Sequence, residues 1–180
     1  MSAIMRLRRG EPFDVRRVDG ADHRACMELV HGVYVASGYI EPCADGVRAR
    51  QWDASGQTFG AYRDGDLAGC VTLVEDGALG LPSEALYPEI AALRRHDGLL
   101  CEVTNLAIAP QYRRSRALYD LLVALFRRGM AVGYTCGIVA VTGGASTPGS
   151  SPPARTGPAN SSPAATSTRP ARWRTGTLCW

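Results

Sequence analysis

The chain has 180 residues, 46% of them apolar, and a formal net charge of +3, which is enough for one sound core and unlike a disordered or fibrous composition. No apolar run reaches the length of a spanning helix, and the start MSAIMRLRRGEPF carries charge without the apolar stretch of a secretion signal, so a cytoplasmic location is expected. All seventeen carboxylates and sixteen of the twenty arginines precede Gly143, which leaves residues 1–142 at −1 and excludes a general basic field for nucleic acid.

In chain order, Met1 to Gly10 reads as a frayed arm. Phe13 to Val18 alternates apolar and charged residues and predicts a first strand. A helix is expected over His23 to Ser37, with Cys26, Met27, Val30, Val33 and Tyr34 on its buried face and Ala21-Asp22 at its start. Glu41 to Ser55 has turn chemistry and little periodicity. Thr58 to Arg63 and Leu67 to Val74 flank Asp64-Gly65-Asp66, a hairpin signal. Ala85 to Arg95 predicts a short helix on Leu86, Ile90 and Leu93.

The most informative stretch runs from Leu99 to Met130. A short apolar run to Ile108 is bounded by His96-Asp97-Gly98 and Ala109-Pro110 and predicts a buried strand. Leu118, Leu121, Leu122, Leu125 and Phe126 then mark a one-faced helix from about Arg113 to Met130, ended by Gly133. Cys136 to Val141 is a continuous apolar run, suited to a parallel strand beside the first, with the helix as crossover. Arg113, Arg114 and Arg116 crowd a helix start that reads as free of carboxylates. Amide donors plus guanidinium groups there would suit a phosphate, or the arginines are simply solvated.

From Gly143 the composition turns to Gly, Ala, Ser, Thr, Pro and Arg, with six prolines and no acid. Residues 143–180 are expected to be a disordered low-complexity tail behind a 1–142 domain. The abrupt loss of every carboxylate fits a shifted reading frame in a GC-rich gene, which translating the neighbouring frames would test. The six cysteines are scattered, and with His23, His31 and His96 they make no ligand spacing, so no metal site is expected.

The segment Leu106-Ala107-Ile108-Ala109-Pro110, with Arg113 three residues on and the leucine-rich helix behind it, resembles motif A of the GNAT acyltransferases. The two glycine positions of that motif hold Arg116 and Leu118 here. The fuller pattern from Glu102 through Leu106-Ala107-Ile108, Pro110 and Tyr112-Arg113-Arg114-Ser115-Arg116 is similar to the FeeM-type N-acyl amino acid synthases, a branch related to acyl-homoserine-lactone synthases. Leu29 to Ile40 resembles the first helix and Gly-Tyr-Ile loop of that branch, although Val30 stands where related synthases often carry arginine.

The resemblance implies an α+β fold: a mixed, mostly antiparallel sheet with helices on both faces and a parallel pair splayed at the donor site. It implies transfer of a long-chain acyl group from the phosphopantetheine thioester of acyl carrier protein, or of acyl-CoA, to the amine of an amino acid or similar small molecule, without a metal. A single phosphate diester demands less of the missing glycines than a pyrophosphate does. Leu106, Ala107, Ile108, Arg113, Arg114, Ser115, Arg116, Ala117 and Leu118 would then meet the donor. Asp53, Thr104 and Tyr34 would meet the acceptor, Asp53 alternatively capping a turn.

Glu102, a carboxylate in an apolar strand, is the candidate base, or else a structural carboxylate paired with an arginine. Strict alternation places Glu102, Thr104, Leu106 and Ile108 on one face. Tyr119 and Tyr134 could protonate the leaving thiolate. Two further readings stand: an acetyl-CoA-dependent N-acetyltransferase, and an inactive GNAT-fold binding protein that lacks its C-terminal strands.

Overall fold

The computed structural model describes residues 10–142 and 173–179. Six strands form one sheet in the order of the chain: β1 (Asp14–Arg17), β2 (Gly56–Arg63), β3 (Asp66–Glu75), β4 (Leu100–Ile108), β5 (Cys136–Thr142) and β6 (Trp173–Cys179). Every neighbouring pair is antiparallel except β4 and β5. Helices α1 (Gly20–Ala36), α2 (Ile90–Asp97) and α3 (Ala117–Val132) cover the faces. The architecture is the expected mixed, mostly antiparallel α+β sheet.

Local chemistry accounts for most elements. Asp64 and Gly65 both take positive φ (54° and 88°), which suits the two-residue turn between β2 and β3. Gly133 adopts the left-handed conformation that closes α3. Pro88 interrupts the helix expected over 85–95: a 3₁₀ turn forms at Pro82–Ala85, and α2 begins only at Ile90, leaving Leu86 exposed.

The core lies on both sides of the sheet. On one face Ala117, Leu121 and Leu125 of α3 pack against Val71, Leu73, Cys101 and Val103. On the other, Cys26, Met27 and Val30 of α1 meet Cys70 and Ala107, while Ile90 of α2 meets Val74, Leu100 and Ile138. The apolar stripe of α3 is narrower than its leucines suggest. Its buried line runs along 117, 121, 125 and 129, and Leu122 and Phe126 are turned aside, 46% and 49% exposed.

Two expectations require correction here. First, α3 starts at Ala117 and not near Arg113, because Pro110–Tyr112 forms a 3₁₀ turn and Arg113 to Arg116 continue it as a bend. Second, Trp173–Cys179 is a strand that pairs with β5 over seven residues, from Cys136↔Cys179 to Thr142↔Trp173. The expectation of no regular structure after Gly143 fails for that segment, whose threonines at every second position supply β propensity. Residues 143–172, and the Met1 to Gly10 arm up to residue 9, lie outside the described residues.

Candidate active site

The parallel pair opens where the chemistry would sit. Backbone pairing of β4 with β5 covers only Leu100↔Cys136 to Val103↔Val139, yet β4 runs on to Ile108 and β5 to Thr142. Among the described residues β4 is paired from Thr104 onward with β3 alone, so one of its edges faces the gap. An edge of free N–H and C=O groups in an opening between strands can take an extended amide chain as an added strand would.

Within this stretch, between Thr104 and Ala107, β4 carries a bulge. Thr72 faces Thr104 and Cys70 faces Ala107, so one residue of β3 opposes two of β4. Asn105 absorbs the extra length at φ 50°, a left-handed conformation that asparagine tolerates well. The bulge overturns the strict alternation. Glu102 and Thr104 share the α1 face, but Ala107, and not Leu106 or Ile108, continues it; Ile108 packs on the α3 side and Leu106 is exposed. A period-two pattern has no means of registering one inserted residue.

Glu102 is 2% exposed. Ser83 N–H donates to its Oε2 and Ser83 Oγ–H to its Oε1, each at 2.8 Å. Burial pushes its carboxyl above the usual range, against the lowering effect of the Ser83 bonds and of the Arg50 charge. Among the described residues no arginine pairs with it directly; its partner is a serine 19 residues away in sequence, placed by the Pro82–Ala85 turn. Each oxygen keeps capacity for a further donor.

The aperiodic 41–55 loop supplies residues that sequence reasoning missed. Arg48 Nε donates to Asn105 Oδ1 at 3.2 Å, and its guanidinium lies 5.1 Å from the Tyr34 ring centre. Arg50 Nη1 donates to Thr104 Oγ1 at 3.2 Å and stacks 4.9 Å from the Trp52 ring centre. Asp53 Oδ2 accepts the Arg50 backbone N–H at 2.8 Å, so Asp53 caps this turn. Tyr34, Thr104 and Glu102 are thus brought together on one face, and Asp53 joins them through Arg50. The signal available in sequence was two cations on either side of one residue, followed by Trp52-Asp53.

The donor-side residues fall on the continuation of β4. Arg113 and Arg114 are exposed and form no ion pair among the described residues. Ser115 Oγ accepts the Ala117 N–H at 3.2 Å, while Leu118 lies in the first helical turn, where amides lack intrahelical acceptors. Arg116 departs from expectation. Asp120, four residues on, is a carboxylate in that first turn, and Arg116 Nε and Nη2 donate to it at 2.9 to 3.0 Å. Asp120 also accepts the Phe13 N–H at 3.0 Å, which ties α3 to the chain before β1. Arg116 is therefore spent on the outer side of α3, an i,i+4 pairing that the spacing itself could have announced.

Neither tyrosine reaches the Glu102 face. Tyr134 is buried in the α3-side core with its hydroxyl raised by burial and by the nearby Glu75 carboxylate, and Tyr119 is 44% exposed beside Arg116. A cavity of about 370 Å³ lies between α3 and the Pro12–Val15 segment, lined by Phe13, Arg116, Tyr119 and Arg127 among others, away from the strand gap. Among the described residues no His/Cys/Asp/Glu group could hold a metal, and no helix is long and apolar enough to cross a membrane.

A family model described as N-acyl amino acid synthase FeeM matches residues 25–143. Comparison with curated proteins finds no match. Among solved structures, FeeM, an N-acyl amino acid synthase from uncultured soil microbes, superposes with a TM-score of 0.61 at 23% identity, over 71% of this chain and 70% of that one. The CoA-dependent acyl-homoserine lactone synthase BjaI gives 0.58 at 15% identity, over 73% of this chain and 67% of its own. The AHL synthase LasI gives 0.55 at 17%, over 74% of each. These likenesses are of fold.

Proposed function

The chain belongs to the FeeM family of N-acyl amino acid synthases and is an N-acyltransferase, and from that premise we propose that it moves a long-chain acyl group from acyl carrier protein to the amine of an amino acid. The observation that carries this reading is the opening between β4 and β5 beyond Val103 and Val139, with buried Glu102 at its inner end. The pantetheine arm would lie along the free β4 edge at Leu106, Ala107 and Ile108. Its phosphate would reach the α3 start at Ser115, Ala117 and Leu118, with Arg113 and Arg114 outside. Glu102, raised by burial, would take the proton of the attacking amine. The nitrogen then bonds to the thioester carbon, the C–S bond breaks with its electron pair going to sulfur, and the thiolate takes up the proton that Glu102 accepted, leaving as the pantetheine thiol.

Two exposed arginines at the entrance suit an acidic carrier protein better than a small thioester, because charge steering acts over whole surfaces. Steering through such charges is screened, with a Debye length of about 8 Å at physiological salt. Transfer from dodecanoyl-acyl carrier protein is expected to slow several-fold between 50 and 300 mM salt, a range chosen at roughly 14 to 6 Å screening. It should slow again in the Arg113→Ala/Arg114→Ala variant. Arg116→Ala should lower thermal stability and leave the salt dependence of transfer in place, because that side chain serves Asp120. Initial rates with acyl carrier protein, dodecanoyl-CoA and acetyl-CoA side by side check the reading; a faster rate from acetyl-CoA would overturn it.

A further inference from the structure

We propose that Arg48 and Arg50 form the clamp for the acceptor's carboxylate, so that the enzyme selects α-amino acids over the matching simple amines. The inference rests on the acyltransferase reading above and adds to it the part of the acceptor that is recognised.

Both guanidinium groups are held in fixed positions without a carboxylate partner. Asn105 Oδ1 takes Arg48 Nε, Thr104 Oγ1 takes Arg50 Nη1, and the Tyr34 and Trp52 rings back the two planes. Neither arginine has an ion pair among the described residues. The remaining donors, Nη1 and Nη2 of Arg48 and Nε and Nη2 of Arg50, have no protein acceptor there and are not among the fully buried unpaired atoms. Planar forks with free N–H groups match a carboxylate in two parallel bonds, which a solvated lysine-like point charge does not.

Two like charges are brought together and half-buried, and the cost shows in Arg48, whose protonated form burial and the Arg50 charge both disfavour. An anion between them relieves that repulsion. The Asp53 charge offsets part of that cost for Arg48, but Asp53 takes none of the guanidinium donors, since the hydrogen bond it makes is to the Arg50 backbone N–H.

Position fixes the chemical class. Arg50 reaches β4 at Thr104, two residues from Glu102 on the same face, about 6.7 Å along a strand. An α-amino acid carries its amine and carboxylate on one carbon. With one hydrogen bond at each end, it spans a base at Glu102 and a fork at Arg50. A longer ω-amino acid would put its amine past the base.

The test is a competition. Wild type, Arg48→Gln, Arg50→Gln and the double variant receive dodecanoyl-acyl carrier protein with equimolar L-leucine and isopentylamine, L-phenylalanine and phenethylamine, and L-tyrosine and tyramine. Products are counted by mass spectrometry, and thermal melting verifies folding. Wild type should favour the amino acid of at least one pair by more than tenfold, and each variant should lower that ratio about tenfold, through KM for the amino acid. A merely structural role would depress both products alike and leave the ratio unchanged, which would overturn the clamp. Equal use of acid and amine by wild type would overturn it too. No acylated amine of either kind would sink the acyltransferase reading instead; the clamp then stands or falls on whether L-phenylalanine, but not phenethylamine, shifts the wild-type amide spectrum and fails to shift that of the double variant.

Discussion

At the scale of the residue, Glu102 separates a catalytic from a structural role by a sign. Its folded carboxyl is raised by burial, so the folded state binds its proton more tightly than the unfolded chain does. The stabilising contribution is full below the unfolded carboxyl pKa and is lost as pH rises through the higher folded value. Glu102→Gln keeps the size, can still accept the Ser83 N–H through its carbonyl and can donate from its NH2 to Ser83 Oγ, while removing the buried charge. The variant is expected to be as stable as wild type or more so at pH 7, and less stable relative to it as the pH falls below the carboxyl range. Denaturant titrations across pH measure this. Turnover, in contrast, should drop roughly a hundredfold, and the limb of the rate profile that rises with pH should flatten. An unchanged rate would leave Glu102 as the anchor of the Pro82–Ala85 turn alone.

At the scale of the element, the bulge in β4 decides which side chains meet. Without Asn105 the strand would continue in phase, and Leu106 would take the face that Ala107 occupies against α1. Asn105 holds the bulge in two ways. Its backbone accepts φ 50°, and its buried side chain takes Arg48 Nε and lies 3.5 Å from Thr72 Oγ1. Thr72 in turn shares a 2.9 Å hydroxyl bond with Thr58, so a polar line crosses three strands inside the sheet. Asn105→Val should cost at least about 1–2 kcal/mol more than Asn105→Gly, because a β-branched residue resists the left-handed region. Urea unfolding of the two variants checks it; equal stabilities would mean that the bulge relaxes freely.

At the scale of the whole molecule, the sheet is asymmetric in its exposure. β5 carries the apolar run Cys136 to Val141, and β6 covers its outer edge by seven backbone pairs. A chain ending at Thr142 would present that run as a bare edge, a template for pairing with another copy. Such a truncated chain is expected to elute as oligomers or aggregates on size-exclusion chromatography, where the full chain elutes as a discrete species. A monodisperse truncated chain would show that β6 is dispensable to the sheet.

Local patterns of the amino-acid sequence determined most of the elements. Asp64-Gly65 dictates the β2–β3 hairpin by turn chemistry, Pro110 ends β4, Gly133 ends α3, and the apolar runs on either side of α3 dictate a parallel crossover. These are features of a few consecutive residues, and propensity and periodicity read them directly. The Glu102-to-Leu122 pattern likewise pointed to the family. Contacts across distance belonged to the tertiary structure alone. Ser83 meets Glu102, Arg48 and Arg50 meet Asn105 and Thr104 more than fifty residues on, and Phe13 meets Asp120. The inserted bulge residue reverses the facing of everything after it, and β6 finds its place by backbone pairing that its Gly/Pro/Ser-rich surroundings conceal. Side-chain period states which residues of one strand agree with each other; only the packing of strands and loops states what they face.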